Sequence, residues 1–458
     1  MAVAERAKKS ITSLPKLVPI FFYQEPVKFF AMAALLLIYT LFSGNRSFHG
    51  KSIYFMHTHW RTMPDSMTKR SLFFYSDAPE WGGQEALSAR IANILAENSL
   101  WDISFFYFCP QFEKALSPAI HRITLHYKSS TPFPILRDRN PLKIRKAKKL
   151  LIRHEVSHLV VCPGNIERGL PAIYAAKSLG LTVTSYIPMG YTQKETHAKF
   201  GGMRDFLAKR IYPLVDQWIT VSKVQEALLR PHLSPETPVH VIPNPLDSDL
   251  SLPPKQPKMP LHIATIGRLY FPQKGQDEIP PLASAIQEAM PGARFSIIGD
   301  GPHRHKLEAL IKKNKIADAV EILPWMTHEK LEKLLSQKYD VLFIPSHFES
   351  GPIVLFEALQ CGIPILIADA EYIKEYDLPP WMIYSRKKPG DALHKLENLS
   401  AKWNPLEFSE TRTRLFKNRS EASFRHAVHE VFDDVWKNFE KTSTLPQNVP
   451  SPSRPCHL

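Results

Sequence analysis

From Ser71 nearly to its end, the chain alternates short β-branched or aromatic runs with stretches of helical periodicity. The runs Ser71–Ser76, Ile103–Phe108, His158–Cys162, Thr182–Ile187, Gln217–Val221 and Val239–Ile242 read as strands. Behind the first of them Leu87, Ile91 and Ile94 fall at helical spacing after a Gly82-Gly83 turn. This is the pattern of a parallel sheet covered by helices. Ser251 to Pro260 then packs four prolines into ten residues with no apolar periodicity, the signature of a connector. Beyond it the alternation restarts with strands at Leu261–Ile266, Phe295–Ile298, Val341–Ile344 and Ile363–Ile367, and a helix marked by Leu307, Leu310 and Ile311. The expected layout is an N-terminal extension (1–68), a doubly wound α/β domain (69–250), a linker (251–260) and a second doubly wound domain (261–423). An amphipathic helix (424–440) and a Pro- and Ser-rich disordered tail (441–458) complete it.

The extension changes the picture. Leu17 to Tyr23 is apolar, and Phe29 to Phe42 runs without a charge but falls short of the roughly 20 residues of a spanning helix. Ser43-Gly44-Asn45 is a poor signal-peptidase site, so a cleaved export signal is not expected. An interfacial anchor, a spanning helix and an extension ahead of a start at Met56, Met63 or Met67 stay open as alternatives. The formal net charge of +14 demands an anionic partner: a phosphate-bearing substrate, an acidic membrane surface or nucleic acid. No recognised nucleic-acid module accompanies it. From Lys143 to Arg153, Ile144, Ala147, Leu150 and Leu151 share one helical face while basic residues fill the rest. That face is either solvated or docked on anionic lipid, which with the apolar N-terminus places the protein at the cytoplasmic side of a membrane. The four cysteines, Cys109, Cys162, Cys361 and Cys456, show no CxxC spacing, so neither a disulfide framework nor a cysteine zinc site is expected.

Candidate chemistry gathers where strands end. The first strand of the second domain runs into GRLYFPQKG, Gly267 to Gly275, whose Arg268 and Lys274 bracket a turn suited to gripping a diphosphate. The next ends in Gly299-Asp300-Gly301-Pro302, and a third runs into PSHFESGPIVLFEALQCGIP, where Glu349 and Glu357 frame a helix opened by Gly351 and Pro352. Amides of its first turn, from Ile353 and Val354 onward, can face an anion and add the helix dipole.

These three motifs, in this order and each at a strand end, resemble glycosyltransferase family four, with its GT-B fold of two Rossmann-like domains facing across a cleft. The likeness extends to Asp77-Ala78-Pro79 with Trp81-Gly82-Gly83-Gln84-Glu85, and to the segments Asp216–Ser222 and Val241–Asp247. It implies a nucleotide-sugar donor and a hydroxyl acceptor such as a glycan or lipid-linked glycan. It also implies retention of configuration, with Arg268 and Lys274 on the diphosphate, Glu357 on the ribose and Glu349 on the transferred sugar. Gly82 and Gly83 would approach donor or acceptor, and Pro324 and Trp325 would hold the base. The histidine that many relatives carry after the strand corresponding to Thr182–Ile187 is replaced by Ile187-Pro188-Met189-Gly190-Tyr191. No metal or other cofactor is expected, because preorganised cations and helix amides can stabilise the leaving diphosphate. The DxD-like Asp247-Ser248-Asp249 reads as a solvated turn. Two rival readings are a catalytically silent membrane scaffold of the same fold and a zinc peptidase, since His154-Glu155-Val156-Ser157-His158 matches HExxH. The second needs both histidines on one helix, whereas Leu159-Val160-Val161 continues His158 as a strand.

Overall fold

The computed structural model describes residues 70–131, 133–246, 250–417 and 419–443. The extension, Asp247-Ser248-Asp249 and the tail beyond 443 lie outside the described residues. A seven-stranded sheet has the order β3-β2-β1-β4-β5-β6-β7 and a six-stranded sheet the order β10-β9-β8-β11-β12-β13. Every pairing is parallel. The first sheet is formed by β1 (Arg70–Ser76), β2 (Trp101–Tyr107), β3 (His121–Thr124), β4 (His158–Val161), β5 (Thr182–Tyr186), β6 (Gln217–Thr220) and β7 (Val239–Val241). The second comprises β8 (His262–Ile266), β9 (Arg294–Ile298), β10 (Val320–Leu323), β11 (Val341–Ile344), β12 (Ile365–Ala368) and β13 (Ile383–Tyr384). Both expected Rossmann-like units are therefore present.

Three strands escape the sequence reading: β3, β10 and β13. All three are sheet edges. An edge strand packs against one neighbour only, so the apolar run that marks an interior strand is missing; β3 reads HRIT and is largely exposed. Interior strands β4 and β11, by contrast, are buried at every residue.

The helices that matter below are α1 (Gly83–Ala96), α2 (Pro141–Arg153), α3 (Gly201–Ala208), α4 (Lys223–Leu229), α5 (Ile353–Gln360) and α6 (Glu421–Ser443). In both sheets the strand order reverses beside the first strand, between β1 and β4 and between β8 and β11. At such a switch point the connections leave in opposite directions and open a crevice at the carboxyl ends of the strands. The GRLYFPQKG and PSHFESGP loops flank one crevice, and the Asp77–Gly83 segment lines the other.

The closing helix α6 starts at Glu421 and continues to Ser443, into the stretch expected to be a tail. It returns to the first sheet: Phe424, Val428, Val431, Phe432 and Val435 share a core with Leu72, Phe74, Trp101 and Phe105. The Phe432 ring lies 5.8 Å from that of Phe74, and Gln217 donates to the Val435 carbonyl at 3.1 Å. The chain thus crosses between the sheets twice, which ties the second unit to the first. Replacing Phe432, 1% exposed, by alanine is expected to cost about 3–5 kcal/mol through lost burial and the cavity left behind. Denaturant unfolding checks this; a loss below about 1 kcal/mol would mean that the helix is dispensable.

Candidate active site

The crevice of the second sheet is built by close backbone contacts that only glycine allows. Gly299, at φ 147°, lies so near Gly267 that a Cβ would sit 2.1 Å from the Gly267 carbonyl oxygen. Gly275, at φ 63°, would place one 2.0 Å from the Pro345 carbonyl oxygen. Backbone bonds stitch the loops together: Leu269 N–H donates to Asp300 O at 2.9 Å and His347 N–H to Gln273 O at 2.7 Å. The GRLYFPQKG and PSHFESGP loops are thereby held side by side, although they lie far apart in the sequence.

Within this frame the Lys274 ammonium lies 2.5 Å from a Glu349 carboxylate oxygen, with both side chains largely buried. Arg268, by contrast, stands 62% exposed and reaches the Glu80 carboxylate at 4.0 Å, spanning from the second unit to the loop ahead of Gly82. Glu357 lies on α5 facing His328, 3.2 Å from its Nδ1, and burial raises its carboxyl above the usual range. Pro352 caps α5 rather than occupying its first turn as expected; Ile353 and Val354 open the helix, and amides of a first turn have no partner inside their own helix. Gly351 fits against Asn244, where a Cβ would meet the side-chain amide at 3.1 Å. Pro324 and Trp325 lie exposed in the loop between β10 and the helix that starts at His328. Gly82 caps α1 in an extended conformation, and a Cβ on Gly83 would meet nothing within 4 Å, so space is open at this helix start.

The structure thus joins Lys274 to Glu349 directly and brings Arg268 toward the glycine loop, while Glu357 contacts His328. Sequence reasoning missed the residues that bridge the units. Gln225, fully buried on α4, accepts from Gly190 N–H at 2.7 Å and donates to the Glu349 carbonyl at 2.9 Å. Tyr191 packs its ring 5.7 Å from Phe348. Its buried hydroxyl lies beside the Gln225 side chain and makes no hydrogen bond of good geometry among the described residues. The buried Asn244 Oδ1 is likewise unpaired among the described residues. A water or a polar ligand at this place would satisfy both atoms. Gln225 carries no motif, so no local signal announces it; Asn244 sits in a segment whose family likeness was legible.

One expectation is met and one needs correction. The HExxH pair does not share a helix: His154 follows the last residue of α2, while His158 begins β4, fully buried, with Nε2 2.8 Å from Thr184 Oγ1. The zinc-peptidase reading has no geometry to support it. Nor does Lys143 belong to a solvated basic face, because its ammonium is bound by Asp138 at 2.6 Å, Ser130 Oγ at 2.8 Å and the Lys128 carbonyl at 2.8 Å. Arg145, Lys146, Lys149 and Arg153 are exposed; Lys148 is half-buried.

Asp77, at the end of β1, is buried beside Asp138 and accepts from Gly169 N–H at 3.3 Å. Burial, then the Asp138 charge, raises its carboxyl from the ordinary 3.8 to about 6, against the pull of Arg168.

Two parallel sheets with facing loops, a buried cation at one switch point and a glycine-opened helix at the other define a GT-B transferase architecture. Comparison with known proteins gives the family. The profile described as Glycosyltransferase Family 4 matches residues 81–250, and that described as Glycosyl transferases group 1 matches 252–377. The chain belongs to glycosyltransferase family four. Among curated proteins it is similar to a phosphatidylinositol N-acetylglucosaminyltransferase subunit from Arabidopsis thaliana, 26% identical over 224 residues, covering 47% of this chain and 49% of that protein. The chain spans about half or less of the length of the first curated relatives it matches. Among solved structures, the lipopolysaccharide outer core galactosyltransferase WaaB in its apo form shares the fold at TM-score 0.58 and 18% identity, covering 82% of this chain and 100% of that one. Anabaena Alr3699/HepE in complex with UDP-glucose does so at TM-score 0.60 and 15% identity, covering 80% and 99%.

The Asp77 proton gives a pH test. Unfolded, the carboxyl ionises near 3.8; folded, it holds its proton to about pH 6. The folded state binds the extra proton, so this group's contribution falls as pH rises from about 4 to about 6, by up to about 3 kcal/mol. Asp77→Asn should remove that decline. Unfolding free energies of both proteins at several pH values across this window check it, and parallel curves would contradict it.

Proposed function

We propose that this chain transfers a sugar from a nucleoside diphosphate donor to a hydroxyl of a lipid-linked acceptor at an anionic membrane surface, with retention of configuration and without a metal. The observation that carries the reading is the buried Lys274–Glu349 pair at the switch point of the second sheet, 2.5 Å apart. A largely buried ammonium needs an anion. When a donor enters, its diphosphate takes that place, and the Glu349 carboxylate is released toward the transferred sugar. Arg268 turns from Glu80 to the same diphosphate, and the first-turn amides of α5 at Ile353 and Val354 add the positive end of its dipole. Charge that builds on the leaving phosphate oxygen therefore meets preorganised cations and amides, which is the support for metal independence. Glu357 accepts from the ribose hydroxyls, and the loop at Pro324 and Trp325 backs the base. Gly82 and Gly83 leave room for donor or acceptor to approach the α1 terminus.

For the acceptor, support comes from the relatives whose names concern phosphatidylinositol and lipopolysaccharide, and from the exposed Arg145, Lys146, Lys149 and Arg153 of α2. Each such cation contributes about 1 kcal/mol near an anionic surface. No helix among the described residues is long and apolar enough to cross a membrane.

Nucleotide sugars screened by thermal shift should include at least one that stabilises the protein; none doing so would favour the catalytically silent scaffold. With that donor, Glu349→Gln should lower turnover by on the order of 10²-fold or more. The same variant should bind the free nucleoside diphosphate at least as tightly as the wild type, because Lys274 no longer has a competing carboxylate. Loss of nucleotide binding together with turnover would contradict the exchange of partners. Turnover should survive exhaustive chelation, and restoration by manganese alone after complete loss would overturn metal independence.

A further inference from the structure

Five of the large apolar side chains that stand exposed among the described residues fall on neighbouring segments of the first unit. Leu136 lies on the short helix Pro134–Arg137, Leu142 on α2, and Phe200, Met203 and Phe206 on α3 and its cap. Phe200, Met203 and Phe206 are 60%, 48% and 62% exposed. Met203 and Phe206, three residues apart, share the flank of α3 opposite the buried Ala208, and Phe200 caps the start of the helix. The short helix packs against α3, and the Phe133 ring lies 6.0 Å from that of Phe200. Both aromatics cap their helices in the left-handed region, Phe133 at φ 62° and Phe200 at φ 58°. Within the chain the Arg204 guanidinium lies 5.6 Å from the Phe133 ring and the Lys199 ammonium 5.5 Å from the Phe200 ring, so cations flank both aromatics. Isolated exposed apolar residues need no explanation; a contiguous apolar face does.

The charge around this face is predominantly positive. Arg137, Arg139, Lys194, Lys199, Lys209 and Arg210 are exposed beside it. Of the nearby acids, Asp205 is tied to the amides of Gln193 and Lys194, at 2.7 and 2.9 Å, which leaves Glu195 as the exposed carboxylate on these segments. The face also sits at the rim of the cleft. Arg204 of α3 is anchored to the buried Glu167 just beyond β4, and it lies within electrostatic reach of Tyr270 in the donor loop. His197, ahead of α3, stands in the same relation to His347.

We propose that the apolar flank of α3, with Phe200, Met203 and Phe206 at its tip, inserts into the headgroup–acyl boundary of an anionic bilayer, so that a bilayer-borne acceptor enters the cleft across this rim. The proposal rests on the reading of a membrane acceptor given above and adds to it a second kind of contact. Charge on α2 attracts the surface over about 8 Å at physiological salt and is screened as salt rises. Apolar insertion is not screened, and the basic collar is placed to meet the phosphates above the buried rings.

The test uses the full chain and vesicles of phosphatidylglycerol with brominated phosphatidylcholine. A Phe206→Trp protein should show additional emission that is quenched by the brominated lipid, whereas a Leu406→Trp protein, with its probe on an exposed helix of the other unit, should not. In high salt, the triple variant Phe200→Ser, Met203→Ser, Phe206→Ser should lose on the order of tenfold or more in vesicle partitioning. Equal quenching of the two tryptophan proteins overturns the proposal. So does concentration-dependent self-association that the triple variant abolishes while vesicle binding is unchanged, since a second copy would then cover the face. Nucleoside diphosphate binding should be untouched by the triple variant; a wild-type chain that inserts into vesicles yet binds no nucleotide overturns the transferase reading and leaves this one standing.

Discussion

The structure turns on one close pair, the Lys274 ammonium against the Glu349 carboxylate at 2.5 Å. A cation this buried is tolerated only when an anion compensates the lost hydration. The strand order supplies the compensation: β8 and β11 are neighbours although two other strands lie between them in sequence, so the loops after them share one crevice. Gly275 and Gly299 let these loops approach as closely as they do. Under the proposed function, a diphosphate takes the place of this carboxylate.

The same pair reaches the first unit through Gln225, which holds the Glu349 carbonyl from one side and Gly190 N–H from the other. Arg268 and Glu80 make a looser contact across the same gap, with both side chains exposed. The two contacts differ in what they do. The buried one fixes the register of the loops, while the exposed one is weak enough for a ligand to break.

Much of this was legible in the sequence, for a definite reason. Interior strands are buried on both faces, so β1, β4, β8 and β11 betray themselves as apolar runs, and in the second sheet Gly275 and Gly299 are forced by backbone contact. The edge strands β3, β10 and β13 have no such pressure and stay silent. The donor-side residues lie next to strand ends and were named in advance, though their roles remain proposals. Gln225 was invisible, and Tyr191 was noted only as part of a divergent segment, because their contacts arise only when the two units meet. Lys143 shows the converse error: helical periodicity put it on a basic surface, but its ammonium folds back onto the buried Asp138. Periodicity assigns a residue to a face, not its long side chain to a partner.

What replaces Glu349 beside Lys274 decides whether the site is a donor site. A crystal structure of the chain with a nucleoside diphosphate measures this directly. A phosphate oxygen should take the position now held by the Glu349 carboxylate, with Arg268 turned from Glu80 onto the same diphosphate. A structure in which the Lys274–Glu349 pair stays intact and the nucleotide binds elsewhere would contradict the exchange.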